Sequence, residues 1–296
     1  MPSRRELILV TGATGRIGRL VVDELVRVGA PVRALTRQLQ HAALPASTEV
    51  VAGDFTVPES LDAALDGVAT VFLVWTESLA AAPAVVARLA EHRSRRVVYL
   101  SAPFRTPHPF FQQPNPMRDV HAEVERLLMA SGLEVAILRP GMFATNALHW
   151  WAPQIRQGDV VRWPYGAAET APVDERDVAA VAARVLRDDL HAHTDCVLTG
   201  PESLSQAAQV HTIGDAIGRP LRFDELSPDE FRREAEGTWP SGVADMLLDA
   251  WRAALGRPAF VTSSVHEILG SPPRTFHQWA AENAESFARA GDDRSG

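Results

Sequence analysis

Short apolar runs alternate along most of the chain with segments in which apolar residues recur every three or four positions. Continuous apolar runs of this length are typical of parallel strands that are buried on both faces. The alternation of the two patterns predicts an α/β fold with a right-handed, doubly wound parallel sheet. The runs lie at 6–10, 31–35, 49–53, 70–74, 96–100, 134–138 and 196–198, and the clearest helical spacing at 17–28, 83–92, 119–131 and 174–190.

Other segments do not follow this alternation. Residues 103–116 are dense in proline and aromatic residues, 141–171 are rich in tryptophan, and the chain after Gly200 has a mostly helical pattern. We therefore expect a second, smaller and mostly helical C-terminal substrate domain. The predicted division is 1–142 with 172–199 for the sheet domain, 143–171 with 200–290 for the substrate-capping domain, and 291–296 for a disordered tail.

Composition narrows the class of protein. The 296 residues carry a net charge of −8 with both signs scattered, which argues against a nucleic-acid surface. No apolar run approaches a membrane span, and the first apolar run begins too early to leave room for a signal peptide, so we expect a cytoplasmic protein. The chain has a single cysteine, Cys196, and no lysine, so no lysine can lower the pKa of a neighbouring hydroxyl.

A glycine-rich turn follows the first apolar run. Gly12, Gly15 and Gly18 lie between a predicted strand and a predicted helix, which is the context that the dinucleotide-binding fingerprint requires. Backbone N–H groups at the start of that helix can bind a pyrophosphate. We therefore predict a Rossmann-type domain in which this turn holds the phosphates, through Thr11, Gly12, Thr14, Gly15, Arg16, Ile17 and Gly18.

The end of the second strand indicates which dinucleotide is preferred. Sites for NAD usually place an acidic residue there for the ribose hydroxyls, whereas this strand ends in Thr36 and Arg37. Arg37 and Arg16 can bind a 2′-phosphate, so we expect NADP(H) to be preferred over NAD(H). Asp54 and Phe55, after the third strand, are expected beside the adenine.

Together these stretches resemble the NmrA-like family, which is an atypical branch of the extended short-chain dehydrogenase/reductase group. The likeness covers nearly the whole chain. It implies a Rossmann domain with a smaller domain over the substrate cleft, and nicotinamide contacts near Val74 and Trp75 and from Pro140, Gly141 and Phe143. The matching stretches are 11–18, 33–37, 53–55, 131–133, 138–143 with Asn146, 172–179, 198–202 and 270–276 with Trp279.

The chain departs from the wider group at its usual proton donor. Typical enzymes of that group use a tyrosine with a lysine four residues later. Alignment on Glu125, which matches a glutamate of the family, places Met117 at the tyrosine position and His121 at the lysine position. Three residues are candidates to replace the pair: Ser101 after the fifth strand, His121, and Tyr165 from the second domain. Ser101 and His121 are also expected to contact the cofactor.

Apolar side chains are concentrated in the two segments that should border the nicotinamide. They predict a cleft for a small apolar or aromatic substrate. The expected lining is Trp75, Phe104, Phe110, Met117, Met142, Asn146 and Trp163.

The leading hypothesis is an NAD(P)H-dependent reductase of an apolar carbonyl, quinone or conjugated double bond, acting without the tyrosine–lysine pair. Two alternatives stay open: a non-catalytic NADP(H) sensor that binds a protein partner, and a non-reductive isomerase or cyclase on the same fold. We expect a monomer or homodimer without a metal site. The acidic residues Asp174, Glu175 and Asp177 begin a predicted helix, where they offset its dipole.

Overall fold

The structure is a computed structural model that describes residues 6–39, 43–92 and 94–289, so the predicted tail lies outside the described residues. Its strands are β1 Leu7–Val10, β2 Val32–Thr36, β3 Glu49–Ala52, β4 Val68–Val74, β5 Arg96–Leu100, β6 Glu134–Pro140, β7 Val160–Pro164, β8 Glu169–Thr170, β9 Asp195–Leu198, β10 Leu204–Ser205 and β11 Arg222–Leu226.

Seven of these strands form one sheet in the order β3-β2-β1-β4-β5-β6-β9. Every neighbouring pair in it is parallel. The chain first builds outward from β1 to β3 and then returns to the other side of β1 with β4. This reversal opens a crevice at the carboxyl ends of β1 and β4, where α/β sheets bind ligands. The predicted Rossmann-type, doubly wound sheet is confirmed.

Helices cover both faces of the sheet. Because successive strand residues point to opposite faces, Ile8 and Val10 pack with α1 and α7, whereas Leu9 packs with α3 and α4. The helices are α1 Arg16–Arg27, α2 Asp62–Leu65, α3 Ala82–Glu91, α4 Pro116–Ala130, α5 Asn146–Trp150, α6 Ala152–Gln157, α7 Glu175–Arg187, α8 Gln206–Ala216, α9 Pro228–Ala235, α10 Val243–Ala254, α11 Ser264–Leu269 and α12 Phe276–Glu282.

A second hydrophobic core lies outside the sheet and is built around Trp151, Trp163, Trp251 and Trp279. Apart from Phe110, its buried members come from 144–168 and 210–287. Two strand pairs, β7 with β11 in parallel and β8 with β10 antiparallel, add to this mostly helical part. The sequence pattern did not predict them. Helix α11 also departs from the predicted division, because Val265 and Ile268 pack in the core of the Rossmann domain.

Within the described ranges, no helix combines the length and hydropathy needed to cross a bilayer.

Candidate active site

The glycine turn has the backbone geometry that phosphate binding needs. Gly12 lies in the left-handed region, with φ of 60°, and its carbonyl accepts a hydrogen bond from the Gly15 N–H at 2.9 Å. A Cβ at Gly18 would overlap the Gly12 carbonyl and would lie 3.0 Å from the Ala13 Cα. Only glycine at position 18 therefore lets α1 begin this close to the end of β1.

The start of α1 is open to an anion. No side chain caps this helix, and its first turn holds no acidic residue. By contrast, Asn115 caps α4 and Asp174 caps α7 through hydrogen bonds to backbone N–H groups. The free N–H groups at the start of a helix are donors that phosphate oxygens can satisfy. The residues at this turn therefore fit the pyrophosphate of a dinucleotide.

Thr11 connects the two strands that border the crevice. Its side chain is buried, and its hydroxyl oxygen accepts a hydrogen bond from the Val74 N–H at 2.9 Å. The contact holds the end of β4 against the end of β1, where the chain turns toward Gly12. Thr11 thus stabilises the turn from behind.

A cleft beside the turn has the position expected for the adenosine. Arg37, which lines it, donates a hydrogen bond to Glu77 at 3.1 Å, and Arg37 is 67% exposed. The Asp54 carboxylate accepts two hydrogen bonds from Thr56, and these bonds hold its pKa below the ordinary value. The cleft measures about 110 Å³ and is lined by Gly12, Thr14, Leu35, Thr36, Arg37, Gly53, Asp54, Phe55, Val74, Thr76 and Glu77.

Glu77 and Trp75 differ from the predictions made from the sequence. Glu77 supplies an acidic group to this cleft from the loop after β4, whereas β2, where NAD sites usually place one, has none at its end. Trp75 stacks on Phe55 with ring centroids 5.2 Å apart, and its indole N–H donates to the Glu77 carbonyl. Trp75 is buried in this stack and does not line the substrate cavity described next.

A larger cavity lies at the carboxyl ends of β5 and β6, next to the second hydrophobic core. Its volume is about 300 Å³, which is within the range of small-molecule sites. It brings together eight residues of the predicted site: Ser101, Phe104, Phe110, His121, Pro140, Gly141, Met142 and Phe143.

A buried ion-pair network supports one wall of the cavity. The fully buried Glu125 accepts hydrogen bonds from Arg139 at 2.7 and 3.0 Å and from the Ser101 hydroxyl at 2.5 Å. Arg139 also donates to Asp195 at 2.6 Å. Because the Ser101 proton is committed to Glu125, Ser101 faces the cavity as an acceptor. This differs from the proton donor that Ser101 was a candidate to be.

His121 has a tyrosine partner that the sequence did not indicate. The Tyr99 hydroxyl lies 2.7 Å from His121 Nδ1. Burial raises the pKa of Tyr99 and lowers the pKa of His121, so both groups are neutral at pH 7. The buried phenol finds an acceptor for its proton in Nδ1, and this pairing leaves the proton of the neutral imidazole on Nε2.

Besides Trp75, four residues predicted for the substrate or catalytic site do not line this cavity. Met117 is 48% exposed on α4, and Asn146 begins α5. Trp163 is 4% exposed, and its indole N–H donates to Gln206 Oε1 inside the second core. Tyr165 has φ of 53° and packs against the same core. The aromatic rings near Trp163 therefore serve packing, because each large ring is stabilised most by burial.

Residues that the sequence analysis did not single out complete the lining. Gln113 and Asn115 come from the segment that leads into α4, and Arg118 comes from the first turn of α4. Helix α10 forms a roof with Met246, Leu247 and Ala250. The helical spacing of α10 could have revealed its apolar face. Nothing in the sequence places that face over the carboxyl ends of β5 and β6.

Comparisons with known proteins identify the family of the chain. Residues 12–189 match an NAD(P)H-binding family. The chain is 37% identical, over 95% of its length and 99% of the relative, to the (4-alkanoyl-5-oxo-2,5-dihydrofuran-3-yl)methyl phosphate reductase of Streptomyces griseus. It is 29% identical to the NAD(P)H azoreductase of Xenophilus azovorans, over 96% of this chain and 100% of the relative.

A solved structure extends the likeness to three dimensions. The NADPH-dependent quinone oxidoreductase of Escherichia coli superposes with a TM-score of 0.78 at 25% identity, covering 93% of this chain and 98% of that one. The predictions of NAD(P)H binding and of an NAD(P)H-dependent oxidoreductase are thereby confirmed. The chain belongs to the NAD(P)H-binding family, within the NmrA-like, atypical short-chain dehydrogenase/reductase group.

Proposed function

We propose that this protein uses NADPH to reduce a conjugated double bond next to a carbonyl in an apolar substrate. The observation that carries the proposal is the cavity at the carboxyl ends of the strands, because it is lined both by His121 and by apolar side chains. The bound dinucleotide would supply the hydride. Residues of this chain would orient the acceptor and exclude water from it.

His121 is the proposed polarising group. Its Nε2–H donates a hydrogen bond to the carbonyl oxygen of the acceptor, where negative charge would develop as hydride adds to the β-carbon of the double bond. A proton taken up from solvent would then add to the α-carbon, so that the net reaction consumes NADPH and one proton. Tyr99 is a positioning residue, because its hydrogen bond at 2.7 Å fixes the ring and its tautomer. The conjugated carbonyl spreads the added charge, so this chemistry needs a weaker donor than the reduction of a simple ketone.

The relatives favour a conjugated acceptor. The compound in the name of the Streptomyces griseus reductase has a ring double bond conjugated to two carbonyl groups. The Xenophilus azovorans and Escherichia coli proteins are an azoreductase and a quinone oxidoreductase by name. Azo and quinone groups also accept hydride at electron-poor, conjugated atoms. We therefore propose an acyl-substituted unsaturated lactone as the first substrate class to test.

The test uses two such acceptors, an acyl butenolide phosphate and the same compound with a free alcohol. We expect oxidation of NADPH, followed at 340 nm, with at least one of them. His121→Phe should lower kcat by about 100-fold or more, because removal of one hydrogen-bond donor to a developing oxyanion costs about 10²–10³ in kcat. His108→Phe, which replaces a histidine outside this lining, is the control. No oxidation with either acceptor would refute the proposed activity.

Arg37 is the residue expected to set the preference for NADPH over NADH. We propose that a 2′-phosphate replaces Glu77 as the partner of Arg37. Arg37→Ala should then weaken NADPH binding about 10- to 100-fold, the worth of charge-assisted hydrogen bonds, and leave NADH binding within about twofold. Glu77→Gln should strengthen NADPH binding, because it removes the competing carboxylate.

Fluorescence titration of each variant with both cofactors measures these effects. The control is Arg27→Ala, since Arg27 is an exposed arginine that pairs with Glu24 on α1. Equal weakening of NADPH and NADH by Arg37→Ala would contradict the proposed role of Arg37.

A further inference from the structure

One guanidinium in the wall of the cavity has no partner among the described residues. Arg118 lies in the first turn of α4 and lines the cavity together with His121. It is partly buried. Its neighbours Arg105 and Arg139 differ, because both form ion pairs with Glu125. A guanidinium without a carboxylate partner is free to pair with an anionic ligand in the cavity.

The rest of the described lining does not balance this charge. It contains no aspartate or glutamate, and its remaining side chains are apolar or neutral at pH 7. An anion entering the cavity therefore finds one positive group and no like charge along the wall. The phosphates of the cofactor are not that anion, because none of residues 11–18 lines this cavity.

A second donor lies beside Arg118. The Asn115 Oδ1 accepts a hydrogen bond from the Met117 N–H at 2.8 Å, which commits the oxygen of the carboxamide to capping α4. Its Nδ2 group has no partner in the part of the chain that the structure describes, and Asn115 also lines the cavity. Two donors that have no partner among the described residues thus lie at one side of the cavity.

We propose that Arg118, assisted by Asn115, binds an oxyanion carried by the substrate, either a phosphate ester or a carboxylate. The guanidinium fork can bind either group in a bidentate manner. Residues three apart on a helix are neighbours, so Arg118 lies about 4.5 Å along the axis from His121. The anion therefore binds one helical turn from the carbonyl that His121 polarises. This inference rests on the proposed function for the identity of the reacting group.

The experiment compares three acceptors that share one unsaturated lactone: the phosphate ester, a carboxymethyl analogue and the neutral alcohol. Arg118→Met keeps the aliphatic stem and removes the charge, and Arg118→Lys restores a charge without the fork. Arg126→Met is the matched control, because Arg126 lies on the same helix, is exposed and pairs with Glu123.

Arg118→Met should lower kcat/KM for one or both anionic acceptors about 30- to 100-fold. The value of kcat/KM for the alcohol should change less than about threefold. Arg118→Lys should recover part of the loss, and Arg126→Met should match the wild type. The anionic acceptor that suffers the loss identifies the oxyanion as phosphate or carboxylate. An equal loss for all three acceptors, or no loss for either anion, would overturn the proposal.

Calorimetric binding of the same compounds to the NADP⁺-loaded protein separates this inference from the proposed activity. If no acceptor is reduced, the activity is refuted, but the binding data still decide the role of Arg118. Tighter binding of an anionic compound than of the alcohol, lost in Arg118→Met, supports the role. Equal binding by wild type and Arg118→Met excludes it.

Discussion

Glu125→Ala is expected to lower the free energy of unfolding by about 3–5 kcal/mol, as removal of one partner of a buried ion pair generally does. Glu125 is fully buried and Arg139 is 3% exposed, so water cannot replace the lost carboxylate. Arg139 would keep its hydrogen bonds to Asp195, whose side chain is 48% exposed, but would lose the two that it donates to Glu125.

Thermal unfolding measures this loss, and the matched control is Glu123→Ala. Glu123 lies on the same helix at the surface and pairs with Arg126 at 2.7 Å, an arrangement that contributes little in water. We expect a fall in Tm on the order of 10 °C for Glu125→Ala and no measurable change for Glu123→Ala. Similar shifts in the two variants would show that the buried network does not stabilise the fold.

The sheet could be predicted because its signal is local. A strand buried on both faces must be apolar throughout, and β5 begins and ends where the apolar run does, at Arg96 and Leu100. The strands of the second domain carry no such signal. β11 reads Arg-Phe-Asp-Glu-Leu and is a strand only because it pairs with β7, about sixty residues earlier in the chain.

The candidate site also has a part that is local in sequence and a part that is not. The glycine turn follows from backbone requirements within eight residues, so it is visible in the sequence. The contacts that decide the chemistry are not local. Arg37 and Glu77 lie 40 residues apart and meet because β2 and β4 end at the same edge of the sheet. Tyr99 and His121 lie 22 residues apart and meet because α4 packs on the face of the sheet to which Tyr99 points. Sequence spacing could not identify Glu77 as the acidic group beside Arg37.

Gly18→Ala is expected to weaken NADPH and NADH binding alike, by about 100-fold or more. The added Cβ would overlap the Gly12 carbonyl, which is backbone and cannot rotate away, so α1 must move from the end of β1. That shift displaces the N–H groups of the turn from the pyrophosphate. Loss of two charge-assisted hydrogen bonds at about 1.5–3 kcal/mol each accounts for the magnitude.

The matched control is Gly158→Ala, because Gly158 has extended backbone, with φ of −168°, and a Cβ there would meet no atom within 4 Å. Isothermal titration with each cofactor measures the affinities, and unfolding followed by circular dichroism measures the accompanying loss of stability. We expect Gly158→Ala to bind both cofactors as the wild type does. The methyl group that Gly18→Ala adds must displace the start of α1, because it would overlap the Gly12 carbonyl. If Gly18→Ala nevertheless bound both cofactors normally, the pyrophosphate would have to lie elsewhere.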